Sequence, residues 1–258
     1  MQSANPPWLL GASGQVGHFL RLRFGHDCVP CGRAVPAWAG AETSRWRVLD
    51  LWTSDDVPAC THLVSAGPLD GCVAWLQRVG PGALRRIVAL GSMSALHKQS
   101  SPSPHERDVA RRLQASEQAL LAFATRHDIA CTILRPTLIW GAGLDHSLTP
   151  FAQAAARRGF AIVPSAARGL RQPVHADDLA ALCVALLRRD VAMSGVFEAG
   201  GGERLPLREM LARTARAVGA RVVTLPVPGF TLGLAARVMA ALGVEAGALS
   251  RVLQDQCC

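Results

Sequence analysis

Residues 8–20 read WLLGASGQVGHFL, an apolar run followed by a glycine-rich turn and the start of an amphipathic segment. Gly11, Gly14 and Gly17 recur every three residues across that turn. Glycine permits a tight turn after a strand, lets backbone N–H groups approach an anion, and allows a helix to pack closely on the strand. The stretch therefore predicts the first strand–turn–helix unit of an α/β fold, with an anion site at the helix N-terminus.

Short apolar runs alternate with helical patterns from this unit to about residue 136. The predicted strands include CVPC at 28–31, HLVS at 62–65, RIVAL at 86–90 and IACTIL at 129–134, and helices are predicted over 69–79 and 104–127. Strands that alternate with helices need right-handed crossovers, and those crossovers build a parallel sheet. The predicted fold class is α/β, a Rossmann-type doubly wound parallel sheet with a small C-terminal substrate lobe.

The pattern changes after Pro136, where loops separate the elements. We expect residues 1–140 to form the sheet domain, with residues 174–199 returning to it. Residues 141–173 and 200–258 would then form the small substrate lobe. The apolar stretch Phe230–Leu249 contains Arg237 and Glu245, so we expect a buried or dimer-forming helix there and not a membrane span.

Amino-acid composition restricts the classes of molecule that the protein is expected to bind. The 258 residues are 50% hydrophobic, and the net charge of +8 comes almost wholly from arginine, with Lys98 the single lysine. No long basic run is interleaved with aromatics, which argues against nucleic-acid binding and suits an acidic small ligand. The first residues do not resemble a signal or an anchor, so we expect a cytoplasmic monomer or homodimer without a membrane partner.

The cysteines do not predict a metal site. Eight are present, and Cys28 and Cys31 form the only CxxC pair, without the second pair that zinc sites use. We expect these two to be small apolar strand residues, and Cys257 and Cys258 to be free thiols.

The end of the second predicted strand favours NADP over NAD. An NAD site places Asp or Glu about 20 residues after the glycine turn, to accept hydrogen bonds from the ribose hydroxyls. Here Cys31 stands at that position and Arg33 follows it. A guanidinium can bind the 2′-phosphate of NADP, although a solvated loop arginine is the alternative. Asp50 ends the third strand and suits either the adenine amino group or an N-cap.

Several motifs together carry a family resemblance. GASGQVG, VLDL, VSAGPLD, IVALGSMS, TILRPTLIWG, QPVHADDLA and FEAGGGE follow one another between residues 11 and 203. In that order the chain resembles the extended and atypical short-chain dehydrogenase/reductases, the NAD-dependent epimerase/dehydratase family. The resemblance implies a cofactor site made of Gly11, Ser13, Gly14, Gln15, Val16, Gly17, Arg33, Asp50, Leu51, Ser65, Ala66, Gly67, Ser92, Pro136 and Thr137.

The catalytic pair of that family is missing. Active members carry Tyr-x-x-x-Lys on the helix after the fifth strand, in which the tyrosine transfers a proton and the lysine lowers its pKa. This chain contains no tyrosine. If Glu117 matches the glutamate that follows the motif, Val109 and Leu113 replace the pair and join an apolar stripe on a helix begun by a capping box at Ser103–Glu106.

Substitute acids are weak candidates. Ser92 and Ser94 flank Met93, which falls where the family places a serine, and His105 lies near the predicted helix start. We expect His97, Lys98 and His105 to be loop residues that face solvent.

Two functions therefore stay open. One is an NADPH-dependent oxidoreductase, or an enzyme like the nucleotide-sugar epimerases and dehydratases, that acts on an unidentified small molecule. In such an enzyme, positioning of the reactants would supply most of the rate enhancement. The alternative is a catalytically silent NADPH-binding sensor or accessory protein. A third and weaker option is an empty scaffold, which the intact glycine turn disfavours. Arg168 and Arg171 are candidates to hold a phosphate or carboxylate of a substrate, and the alternative is that both are solvated loop arginines.

Overall fold

The computed structural model describes residues 5–225. They form thirteen strands: β1 (Trp8–Leu10), β2 (Val29–Gly32), β3 (Arg47–Val48), β4 (His62–Ser65), β5 (Arg86–Leu90), β6 (Ala130–Pro136), β7 (Ile139–Trp140), β8 (Phe160–Pro164), β9 (Leu170–Arg171), β10 (Val174–His175), β11 (Gly195–Ala199), β12 (Leu205–Pro206) and β13 (Arg221–Leu225). The helices are α1 (Gln15–Phe24), α2 (Leu69–Val79), α3 (Ser94–His97), α4 (Pro104–Arg126), α5 (Leu148–Arg158), α6 (Ala176–Arg188) and α7 (Leu207–Ala217).

The central sheet has seven strands in the order β11-β6-β5-β4-β1-β2-β3. Every pairing in it is parallel. The chain runs outward from β1 to β3 and then restarts at β4 on the other side of β1. This reversal of strand order is the doubly wound arrangement, and ligands bind such sheets at the carboxyl ends of the strands beside the reversal. The predicted fold class is confirmed.

Helices cover both faces of the sheet. Trp8 and Leu10 of β1 face a core that includes α2 and α4, and the intervening Leu9 faces a second core that includes α1 and α6. This alternation follows from the opposite directions of successive side chains along a strand. Because both faces are buried, β1 carries an unbroken apolar run.

Residues 174–199 contribute to the same layers. α6 packs in the core that holds α1, and β11 pairs with β6 at the edge of the sheet. The remaining elements form small pairs outside the sheet: β7 with β10, β9 with β12, and β8 with β13. Short side chains at Ala155, Ala161, Ala215 and Ala220 let α5, α7 and the β8–β13 pair pack closely. The exact domain boundaries stay a prediction.

Some details differ from the sequence prediction. The third strand, expected over residues 45–49, is only Arg47–Val48, because β3 is an edge strand that pairs with β2 through two residues. Cys28 precedes β2 and is buried with Cys31, as expected for small apolar residues. The predicted C-terminal helix and Cys257 and Cys258 lie outside the described residues.

Candidate functional site

A cleft of about 320 Å³ opens where β1, β2, β3 and β4 end. It collects residues from four loops that sequence analysis assigned to a cofactor site. The predicted residues that line it are Gly11, Ser13, Gly14, Arg33, Asp50, Leu51, Ala66 and Gly67. Cys31, which occupies the position where an NAD site carries a carboxylate, lines the cleft as well. The other lining residues were not predicted from the sequence; they are Leu10, Gly32, Leu49, Trp52 and Pro68.

The glycine turn fits against the neighbouring loop without room for side chains. Gly11 has a φ of +74°, and a Cβ there would lie 2.6 Å from the backbone nitrogen of Gly67. A Cβ on Gly17 would lie 2.2 Å from the carbonyl oxygen of Gly11. Both glycines are therefore required by close backbone approach, which is the role that the sequence pattern predicted for them.

The N-terminus of α1 points its backbone donors toward this turn. Gly14 precedes the helix in an extended conformation, and no side chain caps the first turn. Uncapped N–H groups and the positive end of the helix dipole form an anion site. Gln15 and Val16 begin this helix, and Val16 is buried in the core. The side-chain amide nitrogen of Gln15 is buried and has no hydrogen-bond partner among residues 5–225.

The end of β2 carries one free positive charge. Cys31 is buried, its thiol donates to the carbonyl of Val29 at 3.5 Å, and burial raises its pKa to about 12. This thiol is therefore neutral at physiological pH. Arg33 is exposed on the cleft wall, and its guanidinium has no hydrogen bond or ion pair within the described chain.

Asp50 closes a turn at the end of β3. Its carboxylate accepts from the N–H of Trp52 at 2.8 Å, and its carbonyl accepts from the N–H of Ser54 at 2.9 Å. Residues 51–53 form a turn and no helix follows them, so the alternative of a helix N-cap is wrong. Trp52 is 54% exposed and lines the cleft. The sequence could have indicated Trp52 as a cleft residue, because it is an aromatic residue shortly after the aspartate that ends the third strand. Such a ring can stack on a planar base.

A second cleft of about 240 Å³ adjoins the first through Gly67 and Pro68. Its wall includes Val109 and Leu113 of α4, opposite Gly91 at the end of β5. Both side chains are half-buried at the cleft, whereas Leu120 and Ala124 of the same predicted stripe are buried in the core.

Glu117 fixes the rotation of α4 against the sheet. Its carboxylate accepts two hydrogen bonds from the guanidinium of Arg135 on β6, at 2.9 and 2.5 Å. A Cβ on Gly91 would lie 2.8 Å from that carboxylate, so the pair is packed directly beneath the end of β5. One and two turns earlier, Leu113 and Val109 face the second cleft.

The weak catalytic candidates lie outside both clefts. Ser92 is half-buried and its hydroxyl accepts from the N–H of Ser94 at 3.1 Å. His105 is exposed in the first turn of α4, as expected. The same expectation is wrong for Lys98, whose ammonium lies 3.5 Å from the carboxylate of the buried Glu106. It is also wrong for His97, whose Nε2 is buried.

The capping box at the start of α4 is only half formed. The hydroxyl of Ser103 accepts from the N–H of Glu106 at 3.4 Å. The Glu106 carboxylate does not return to Ser103 and instead accepts from the hydroxyl of Ser101 at 2.6 Å. The N–H of Ser103, which would complete the box, donates to the hydroxyl of Ser101 at 3.2 Å.

Three further residues predicted to bind the cofactor are either buried or hydrogen-bonded to other parts of the protein. Ser65 is fully buried at the end of β4. The carbonyl of Pro136 accepts from the N–H of Met93 at 3.0 Å. The hydroxyl of Thr137 donates to the carbonyl of Gln172, and its N–H donates to the carbonyl of Ala199 at 3.2 Å. None of the three lines either cleft.

The cysteines of residues 5–225 are not cross-linked. The six cysteines of this range are free and buried. No group of three or more His, Cys, Asp or Glu side chains in the range is arranged to hold a metal ion. None of its helices has the length and apolar character needed to cross a membrane.

Comparison with known proteins agrees with this geometry. The model of the NAD dependent epimerase/dehydratase family matches residues 84–200. The resemblance to that family is confirmed. The epimerase/dehydratase match spans β5 to β11 and so includes α4, Glu117 and Arg135, whereas the glycine turn precedes it. No curated protein matches the chain significantly.

Solved structures of epimerases share the fold. The UDP-N-acetylglucosamine 4-epimerase from Bacillus cereus superposes with a TM-score of 0.67 at 15% identity, over 97% of this chain and 96% of that one. A putative epimerase from Burkholderia cenocepacia gives 0.69 at 16% identity, over 88% and 86%. The UDP-glucuronic acid 4-epimerase from Bacillus cereus, solved in complex with NAD, gives 0.68 at 14% identity, over 86% of each chain.

Proposed function

We propose that the first cleft binds NADP(H) and that the protein is an oxidoreductase or epimerase-like enzyme acting on a small molecule. The observation that carries the proposal is the uncapped glycine turn of α1 with the unpartnered Arg33 guanidinium on the same cleft wall. One epimerase with this fold was solved with NAD, which supports a nicotinamide dinucleotide in general. The preference for NADP, a cytoplasmic location and a monomer or homodimer stay predictions.

Different residues of the cleft would bind different parts of the cofactor. Backbone N–H groups at Gly14 and Gln15 would hold the pyrophosphate, and Arg33 would hold the 2′-phosphate. Asp50 and Trp52 would hold the adenine by hydrogen bonding and stacking. Ala66 and Gly67 would let the ribose pass close to the backbone, into the second cleft. The bound cofactor would supply hydride transfer.

A silent NADPH-binding sensor is the second candidate, and Val109 and Leu113 favour it. Both are on the wall of the second cleft, where the family resemblance puts the acid and the lysine, and neither can transfer a proton. Positioning alone can lower a barrier by several kcal/mol, so their presence slows an enzyme without abolishing turnover.

Calorimetric titration with NADPH and NADH tests the proposal, followed by an absorbance assay at 340 nm with aldehydes, ketones, quinones and nucleotide sugars. We expect NADPH to bind more tightly than NADH and at least one compound to cause oxidation. Binding without oxidation across the panel supports the sensor. Absence of NADPH binding refutes both candidates, and tighter binding of NADH refutes the role of Arg33.

A further inference from the structure

A third cavity, which we call the lobe pocket, lies between α5, α7 and the loop after β7. Its volume is about 620 Å³, within the range of small-molecule sites. Trp140 stands at its edge, 42% exposed, with its ring held at 4.6 Å from the ring of His175. Trp140 ends β7 and His175 ends β10, and these two strands pair with each other in parallel.

The floor of the lobe pocket is apolar. Leu148, Leu205 and Met210 form a buried cluster there, and Ala152 and Val218 extend it. The hydroxyl of Thr214 lines the wall but donates to the carbonyl of Met210 at 2.9 Å within its own helix. The wall therefore offers mainly hydrocarbon surface.

The charged side chains that line the pocket already have hydrogen-bond partners within the protein. The Asp145 carboxylate accepts from the N–H of Thr149 at 2.9 Å and from its hydroxyl. Although partial burial opposes ionisation, these hydrogen bonds hold the pKa of Asp145 below its usual value. Arg213 donates to Glu203 at 2.7 Å and to Glu209 at 2.9 Å. The single guanidinium among the described lining residues is thus shared by two carboxylates.

This charge arrangement disfavours a diphosphate. A nucleoside diphosphate would approach the carboxylates of Asp145 and Glu203 and compete with two carboxylates for Arg213. The arginines that sequence analysis considered for a charged substrate are not in the pocket. Arg168 is exposed elsewhere, and Arg171 is buried, which corrects the expectation of a solvated loop residue for it.

We propose that the lobe pocket binds an uncharged, largely apolar small molecule and excludes nucleoside diphosphate sugars. The hydrocarbon floor supplies the binding free energy through burial of apolar surface. The carboxylates at the wall reject anions. That this molecule is the substrate rests on the proposed function, because only a bound cofactor would make the pocket part of a reaction site. The ligand chemistry of the pocket does not depend on the cofactor.

The uncharged fluorescent probe N-phenyl-1-naphthylamine tests the proposal, with UDP-glucose as competitor. Ala152→Trp fills the pocket from α5, and Ala156→Trp places the same residue one turn further along the helix, at an exposed position outside the lining. We expect the probe to bind the native protein and Ala156→Trp equally, and Ala152→Trp at least about tenfold more weakly, a difference of about 1.4 kcal/mol. UDP-glucose should not displace the probe.

Two outcomes overturn the proposal: displacement of the probe by UDP-glucose, or equal probe binding by the two tryptophan variants. NADPH titration of the same preparations separates this test from the proposed function. Unchanged NADPH binding in Ala152→Trp shows an intact fold, and its melting temperature provides a second measure of folding. If NADPH fails to bind while the probe behaves as expected, the proposed function fails and the pocket chemistry stands.

Discussion

At the scale of single residues, the proposed preference for NADPH over NADH depends on Arg33. Its guanidinium is exposed and unpaired within residues 5–225, so its removal should leave the fold unchanged. We expect Arg33→Ala to weaken NADPH binding by about ten- to a hundredfold, the usual range for hydrogen bonds to a charged group, and to leave NADH binding unaltered. Calorimetry with both nucleotides measures this. Arg168→Ala, which removes an exposed arginine outside the cleft, is the control. Equal losses for NADPH and NADH would contradict a contact with the 2′-phosphate.

Glu117 and Arg135 form an ion pair that is largely removed from solvent, and each charge compensates the other. The Glu117 side chain is 3% exposed and that of Arg135 is 17% exposed. Hydrogen bonding to Glu117 raises the pKa of Arg135 above its ordinary value. Even without this contact a guanidinium stays protonated in a protein, so Arg135 keeps its charge when its partner is removed. We expect Glu117→Gln to lower the free energy of unfolding by about 3 kcal/mol, because it leaves a largely buried positive charge without compensation.

Urea denaturation measures this loss, and Asp108→Asn is the matched control on the same helix. Asp108 pairs with Arg111 at 3.0 Å, but both side chains are at least half exposed. An exposed pair of this kind contributes about 0.5 kcal/mol or less. If both variants lose the same small amount, Glu117 does not anchor α4.

At the scale of elements, α4 shows which features the sequence can predict. Its period and the Ser103 cap predicted its start at Pro104 and, within one residue, its end at Arg126. Local periodicity also marks Leu120 as buried. It cannot predict that Glu106 and Glu117 are buried, because the groups that compensate them, Lys98 and Arg135, come from other elements.

The same distinction applies to the candidate site. Gly11, Arg33 and Asp50 meet in one cleft because each lies within two residues of the end of a strand in a parallel sheet, and strand ends can be predicted from sequence. Thr137 also follows a strand, but its hydroxyl is taken by the carbonyl of Gln172, thirty-five positions along the chain. Pairings of that kind depend on the path of the later loops, which no local pattern encodes.

The second cleft has space in front of α4 for longer side chains. Val109 and Leu113 are one turn apart on its wall, and the cleft of about 240 Å³ lies between them and Gly91. We expect Val109→Tyr combined with Leu113→Lys to bind NADPH more tightly than the native chain, since the resemblance implies that a lysine there holds the nicotinamide ribose. For an enzyme, oxidation of NADPH should also rise, by about a hundredfold where proton transfer limits the rate.

Arg111→Tyr combined with Ala115→Lys is the control for this pair. It introduces the same two residues at the same spacing on the exposed face of α4. Calorimetry and the 340 nm assay apply to both double variants. Equal NADPH affinity in the two would show that the second cleft is not next to a bound cofactor.

At the scale of the whole molecule, the reversal of strand order explains why both clefts share one edge of the sheet. β1 and β4 are neighbours, but their following loops turn to opposite faces, toward α1 and α2. A crevice therefore opens between them, and Gly11 and Gly67 approach closely at its base. The lobe pocket lies outside the sheet, where the remaining elements bury two small apolar clusters of their own.

Alkaline pH should unfold this protein mainly through its thiols. Burial raises the pKa of Cys60 and Cys72 to about 11, and that of Cys31, Cys131 and Cys183 to about 12, from an ordinary value of 9.0. The unfolded chain would lose these protons above pH 9 while the folded chain keeps them. The stability that the neutral thiols contribute is therefore complete below pH 9 and lost as pH rises toward 11 or 12.

The chain is suited to this measurement because it has no tyrosine and a single lysine, the groups that usually titrate in this range. We expect the free energy of unfolding, from urea curves with a reductant, to be level from about pH 7.5 to 8.5 and then to fall by about 1.4 kcal/mol per pH unit for each thiol ionised only in the unfolded chain. Cys183→Ala should be less stable at every pH but show a shallower fall, because one buried thiol is gone. A level profile to about pH 10.5, or an unchanged slope in that variant, would mean that these thiols do not control alkaline stability.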